Sequence, residues 1–365
     1  MTEDRVFDIA SDHARRTPRV VAVIPAHDEE EQIVETLRSL ASQSIQPDRI
    51  VVIADNCSDG TAAAAARAGV EVLETIANES RKAGALNQAW AAVEASLDDD
   101  DMLLALDADT LLTPQFVAQA LRQFAVRPEL AAVCGSFLAR SVASTAWARF
   151  LALLQKIEYE RYRRQLARRK GATRVLSGGV SLFRVGALRR IAAERGFLYD
   201  ETSIVEDFEL TLAMRSRGMQ YAAPKACAAS TESMTTLSKL WHQRVRWYRG
   251  TLDELRKYGL SRLTARDYLA QAPLVGGVLV RVLFVVTIAL TVIGPGAVRP
   301  SPLWLALAAV IAFERAVSVR ALGWTAMLVA AVLLVEAVYS VFAEGYFVKS
   351  VWLHLRSRDA VWHAT

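Results

Sequence analysis

Short β-branched and aliphatic runs alternate with segments whose apolar positions recur at helical spacing through most of the chain. VVAVIP ends at Pro25 and IVVIAD ends at Asp55; both have strand length and the continuous hydrophobicity of strands buried on two faces. Between them Ile33, Val34, Leu37, Leu40 and Ala41 mark one face of a helix, with Glu29 to Glu31 acidic at its start. VEVLE after Gly69 predicts a further strand, Ala83 to Ala95 a helix, and MLLALD after Asp101 another strand. Pro114 suits the first turn of a helix that reaches Val126. Such alternation predicts a doubly wound α/β sheet, mostly parallel and flanked by helices, with ligands beyond the carboxyl ends of the strands.

From Pro273 the pattern changes. Pro273 to Val298 carries one charge, Arg281, and Ala321 to Ala343 carries one, Glu336. Each run is long enough for a membrane-spanning helix of about 20 residues. Pro302 to Ile311 is apolar but short and is followed by Glu314, Arg315 and Arg320, so it is a third span or a re-entrant or interfacial segment. Lys349, Arg356 and Arg358 favour a cytoplasmic C-terminus and hence an even number of crossings. The predicted organisation is a polar tail (1–18), an α/β domain (19–270), a membrane region with two or three crossings (271–348) and a C-terminal tail (349–365).

Composition changes this picture little. The 365 residues are 53% hydrophobic and 22% charged, an average over two unlike regions. Net charge of +4 does not suggest nucleic acid, and no motif for it is present. The N-terminal MTEDRVFDIASDHARR lacks an apolar segment, which predicts no secretory signal and a cytoplasmic catalytic domain. Cys57, Cys134 and Cys227 are three in number and widely spaced, predicting free thiols. Basic residues crowd Lys156 to Arg174, interleaved with Tyr159 and Tyr162. That stretch is either a solvated helix face or one lying on anionic headgroups or an anionic substrate.

Candidate chemistry lies at the predicted strand ends. Asp55 opens DNCSDGT, and Asp107 and Asp109 form a D-x-D after LLAL. Carboxylates two apart on extended chain point the same way, suited to sharing a divalent cation with a diphosphate. Glu206 and Asp207 begin a helix on which Val205, Phe208 and Leu212 share a face. Leu237 to Leu255 predicts an amphipathic helix whose tryptophans rest on a membrane interface, Trp241 above all.

The motifs PAHDEE (Pro25–Glu30), DNCSDGT (Asp55–Thr61), RKAGALN (Arg81–Asn87), DAD (Asp107–Asp109), SGGVSLFR (Ser177–Arg184), VED (Val205–Asp207) and QRVRW (Gln243–Trp247) stand in one order, with apolar segments after them. In this the chain resembles family 2 glycosyltransferases, specifically the membrane-integrated branch with the cellulose, hyaluronan, poly-N-acetylglucosamine and chitin-oligosaccharide synthases, from about Val20 to the end. The resemblance implies a GT-A-type fold and inverting transfer from a UDP-sugar with Mg²⁺ or Mn²⁺. It implies that Pro25, Glu29, Asp55, Lys82, Asp107, Gln243 and Arg246 bind the nucleotide-sugar, and that Asp109 with Asp107 holds the metal. Asp207, with Glu206 beside it, takes the acceptor's proton, while Gly178, Gly179 and Trp247 face the acceptor. Implied partners are a saccharide or lipid-linked acceptor and membrane lipids.

The chain departs from that branch in lacking N-terminal spans and in its short apolar tail, and His27 stands where the family often has tyrosine. Three functions follow for comparison: processive or short-processive synthesis, single transfer to a polyprenyl phosphate or another lipid or protein acceptor, and a non-enzymatic nucleotide-sugar sensor. The intact DAD, VED and QRVRW argue against the last. Donor sugar and oligomeric state stay open.

Overall fold

A computed structural model describes residues 17–142, 144–293 and 302–356. The expected N-terminal tail up to residue 16, the expected C-terminal tail beyond 356 and the end of the first expected span at 294–298 lie outside the described residues.

The elements begin with β1 (Val20–Ala26), α1 (Glu30–Ala41), β2 (Arg49–Ala54), α2 (Thr61–Arg67), β3 (Glu71–Glu74), α3 (Arg81–Val93) and β4 (Met102–Leu106). They continue with β5 (Leu111–Leu112), α4 (Phe116–Val126), β6 (Leu130–Cys134), β7 (Ser136–Arg140), α5 (Ala146–Arg168), β8 (Val180–Arg184) and α6 (Val185–Arg195). After α7 (Glu206–Ser216), β9 (Gln220–Ala222), β10 (Ala228–Glu232) and α8 (Leu237–Tyr258), the chain is helical: α9 (Ala265–Ile293), α10 (Pro302–Ser318), α11 (Trp324–Ala331) and α12 (Leu333–Leu355).

Seven strands form the main sheet in the order β3-β2-β1-β4-β8-β6-β9. The four strands at its β3 end are parallel, as their uninterrupted apolar runs require, and every residue of β1 and β4 is buried. β8 runs antiparallel to both of its neighbours, β4 and β6, so the sheet is mixed at its far end. A second sheet, β5-β10-β7, sits over the ligand edge. Two apolar layers enclose the main sheet, one with Ile33, Leu40 and Phe116, the other with Leu86, Trp90 and Leu188.

The C-terminal helices pack on α5 and α8. Arg161 of α5 pairs with Glu336 at 2.5 Å and donates to Ser318 Oγ at 3.0 Å, and Arg164 donates to the Val317 carbonyl at 2.9 Å. Two of the basic residues expected on solvent or headgroups therefore fasten α5 to these helices. Trp241, expected at the lipid interface, packs edge-on against Phe342 and Tyr346 of α12. Arg281 of α9 forms a two-point pair with Glu344 of α12, at 2.7 and 2.9 Å.

The run Ala321 to Ala343, read as one straight span, is divided. Gly323 takes a left-handed φ of +87°, and α11 and α12 meet at 76° across Val332, which lets α12 lie along α8. Among the described residues no single helix is long and apolar enough to cross a membrane, and the α11–α12 pair passes that test only when taken together.

Candidate active site

A cavity of about 1720 Å³ opens at the carboxyl ends of β1, β2 and β4 and extends to α5, α8 and α12. Its nucleotide-side wall is built from turns. Asp28 adopts a left-handed φ of +54° after β1 and accepts hydrogen bonds from Ser58, while the His27 ring lies 2.6 Å from the Asp55 carbonyl. Asp55 is buried, and its Oδ1 accepts from Thr75 Oγ1 (2.9 Å) and Asn78 Nδ2 (2.7 Å). Both loops are thus held by their own hydrogen bonds. Pro25, Glu29, Asp55, Lys82, Asp107 and Asp109 all line this cavity.

The D-x-D is not extended: residues 107–110 form a turn after β4. The two carboxylates consequently take different partners. Asp107 Oδ1 pairs with Lys82 Nζ at 2.6 Å, whereas among the described residues Asp109 accepts from two hydroxyls, Thr110 at 3.1 Å and Thr231 at 3.2 Å. Lys82, from the first turn of α3, also pairs with Glu206 at 2.9 Å and donates to the Gly178 carbonyl at 3.2 Å. Burial opposes its charge, but Asp107 and Glu206 outweigh that and hold the ammonium well above its usual range. Burial, with Asp109 nearby, pushes Asp107 up to about 6 even against Lys82.

Acidic oxygens crowd the neighbouring corner. Burial and the charges of Asp109, Asp107 and Glu232 push Glu29 up to about 8. Hard oxygen donors with mutual repulsion and one carboxylate held by hydroxyls are the donor chemistry of a divalent cation, so Asp109 and Asp107 fit Mg²⁺ or Mn²⁺. Among the described residues the close three-ligand grouping is elsewhere, at Asp28, Cys57 and Asp59, where the carboxylates are exposed and bonded by Ser58 and Thr61.

Glu206 and Asp207 open α7, whose first turn is acidic. Asp207 accepts from the Gly178 and Phe208 backbone N–H groups, both at 2.7 Å. Burial and Glu206 raise its pKa above the ordinary carboxylate value, against Lys82 and those N–H groups. Burial would raise Glu206 too, yet Lys82 and Arg246 hold it below its usual value. One carboxylate is therefore stabilised as an anion while its neighbour is biased toward holding a proton.

The two glycines differ in purpose. A Cβ on Gly178 would come within 3.0 Å of Lys82 Nζ and 3.1 Å of Asp207 Oδ2, so its absence lets the three groups converge. A Cβ on Gly179 would meet the Phe137 ring at 2.7 Å, which makes that glycine a packing requirement of β7. Gln243, Arg246 and Trp247 of α8 all line the cavity. Sequence reasoning missed the residues α5 brings. Gln155 clamps the loop at Met234 with two hydrogen bonds (2.8 and 3.0 Å), and Glu158 pairs with Arg244 at 3.1 Å. Arg244 lay in view within QRVRW; nothing in the sequence pointed to its partner 86 positions earlier.

Residues 18–250 match the model of "Glycosyltransferase like family 2". The chain belongs to this family. It is a sugar-transferring enzyme. Over 255 residues this family 2 transferase is 28% identical to the poly-beta-1,6-N-acetyl-D-glucosamine synthase of Staphylococcus aureus (strain COL), covering 68% of this chain and 58% of that one. It is 26% identical over 259 residues to the probable glycosyltransferase YdaM of Bacillus subtilis (strain 168), covering 68% and 59%. The chain thus spans less than two thirds of the length of the curated relatives it matches. Among solved structures, the mannosyltransferase PcManGT from Pyrobaculum calidifontis, in complex with GDP-Man and Mn²⁺, superposes with a TM-score of 0.57 at 19% identity. The match covers 95% of this chain and 90% of that one, so the shared fold extends into the C-terminal helices.

Proposed function

We propose that the protein is a membrane-bound inverting glycosyltransferase that moves a sugar from a UDP-sugar to a growing oligo- or polysaccharide, its catalytic domain facing the cytoplasm. The observation that carries this reading is the convergence of Asp55, the D-x-D, the Gly178–Asp207 contact and QRVRW on one cavity. Asp207 lies in that cavity with its carboxylate already oriented by two N–H groups. Ionised, it accepts the proton of an acceptor hydroxyl as that oxygen bonds to the anomeric carbon and the bond to the diphosphate breaks. Gln243 and Arg246 supply donors for the departing phosphates, Arg by its planar fork, and Trp247 offers a flat face to the acceptor sugar. Glu29 and Asp55 line the uracil and ribose side. Asp109 with Asp107 would hold Mg²⁺ or Mn²⁺, which when bound supplies positive charge to the leaving diphosphate.

Membrane attachment is supported by the outer faces of the C-terminal helices. Val280 (66%), Val310 (65%), Phe313 (72%) and Leu334 (72%) stand exposed there, a degree of apolar exposure that lipid would cover. The apolar side chains that α11 and α12 add to the cavity, Val329, Ala330, Val335 and Ala343, favour a second reading, single transfer to a polyprenyl phosphate or other lipid-linked acceptor.

UDP release from a panel of UDP-sugars, with Mn²⁺ and membranes carrying the full chain, tests the first reading. Asp207→Asn is expected to lower kcat by about 10²–10⁴-fold, and Asp109→Ala to abolish metal-dependent turnover. Turnover left intact in both variants contradicts the assignment. Product sizing separates the readings, since one sugar per acceptor without a ladder excludes elongation.

A further inference from the structure

Besides the carboxylates at the strand ends, α5, α8 and α12 line the same cavity. Trp247, Tyr162, Tyr248, Tyr339 and Tyr346 line it. Of the charged side chains lining the cavity, α5 and α12 contribute Glu158, Arg161 and Glu336, and each is matched. Arg161 pairs with Glu336, and Glu158 pairs with Arg244 of α8. This part of the cavity therefore presents aromatic faces and, from α5 and α12, matched charge. Among the described residues α5 and α12 bring no unmatched cation to the cavity; its further cations on this side, Lys239 and Arg246, come from α8.

Glu158 is the polar centre of this part of the cavity. Its Oε2 accepts from Arg244 Nη2 at 3.1 Å and from Tyr339 Oη at 2.8 Å, so three helices meet at one oxygen. The side chain keeps 36% exposure, and it lines the cavity. Arg244 in turn lies 4.5 Å over the Trp247 ring. One carboxylate thus fixes the guanidinium that backs the sugar-stacking tryptophan, and keeps its own accessible edge in the same space.

We propose that Glu158 is a specificity-determining residue for the acceptor, accepting a hydroxyl hydrogen bond from a neutral saccharide whose ring lies on Trp247. The assignment rests on the transferase reading of the cavity given above. It favours an uncharged saccharide over a lipid phosphate at this position, because the accessible edge of the Glu158 carboxylate repels an anion placed beside it. It also gives the C-terminal helices a part in substrate recognition, through Tyr339. A carboxylate accepting from a sugar hydroxyl makes a charge-assisted bond, and losing it costs about tenfold or more in affinity.

The test uses the full chain in membranes, UDP-N-acetylglucosamine as donor and a β-1,6-linked N-acetylglucosamine tetramer as added acceptor. Glu158→Gln should raise the KM of the tetramer about tenfold while the KM of the UDP-sugar moves less than about twofold. Tyr339→Phe, which leaves the charge but frees the carboxylate, should shift the tetramer's KM in the same direction by less. A tetramer KM unchanged in both variants overturns the proposal, as does a parallel rise in the KM of tetramer and UDP-sugar, the mark of a merely structural role. Transfer to vesicles carrying a polyprenyl phosphate with none to the tetramer overturns the neutral-saccharide class. A wild-type chain that releases UDP from no UDP-sugar contradicts the transferase reading itself, a result distinct from the other three.

Discussion

At the scale of single residues, the site works by setting like groups in unlike surroundings. Glu206 and Asp207 are adjacent in sequence, yet Lys82 and Arg246 stabilise the anion of the first, while burial and that very anion raise the pKa of the second. The sign fixes a pH dependence. A base must be unprotonated, and the raised pKa means Asp207 holds its proton to higher pH than an ordinary aspartate of about 3.9. The acid limb of the kcat/KM profile, which reports the free enzyme, is therefore expected above pH 4. Steady-state rates across pH 4 to 8 measure it, and a profile flat down to pH 4 would count against Asp207 as the base. The residue types at these positions were legible in the sequence because each motif is local. Their pairings were not: Lys82, expected to bind the nucleotide-sugar, stands between Asp107 and Glu206, a contact made only once α3, β4 and α7 share one sheet edge.

At the scale of elements, legibility followed the length of the pattern. β1, β2 and β4 were plain from continuous apolar runs, and α8 from its helical periodicity. The five-residue β8 holds only the VSLFR end of SGGVSLFR, a motif that points to chemistry before it points to a strand, and its antiparallel placement depends on non-local pairing. The junction of α8 with the loop before α7 was equally invisible. Gly250 sits there, and a Cβ on it would fall 2.6 Å from Val205 Cγ1 and 3.0 Å from Ile204. Val205 directly precedes the two carboxylates, so Gly250 lets the QRVRW helix reach them. Gly250→Ala is expected to destabilise the protein by about 1–3 kcal/mol through overpacking. It should also lower kcat by moving α8 off Glu206. Thermal unfolding and steady-state kinetics on the same preparation read both effects, and unchanged values would show that the contact yields freely.

At the scale of the molecule, a change in composition became a docked helical layer. The apolar tail was legible as apolar, but its division at Val332 and its packing on α5 and α8 were not, since hydropathy records no partner. α12 makes extensive contact with α8, so the helices that would meet lipid also line the cavity. If lipid covers their outer faces, the full chain should float with liposomes. Replacing exposed Phe313 and Leu328 together with Glu should reduce flotation without changing the circular dichroism of the domain. Flotation unaffected by that pair would place the membrane contact elsewhere.

The central claim, a single in-line displacement assisted by Asp207, predicts one stereochemical outcome. A UDP-sugar with an α-linked anomeric carbon must give a β-linked product, because attack comes from the face opposite the diphosphate. Proton NMR of the anomeric signal in the first product formed decides the matter. A β-anomer is the predicted result; an α-anomer would mean retention and contradict the account.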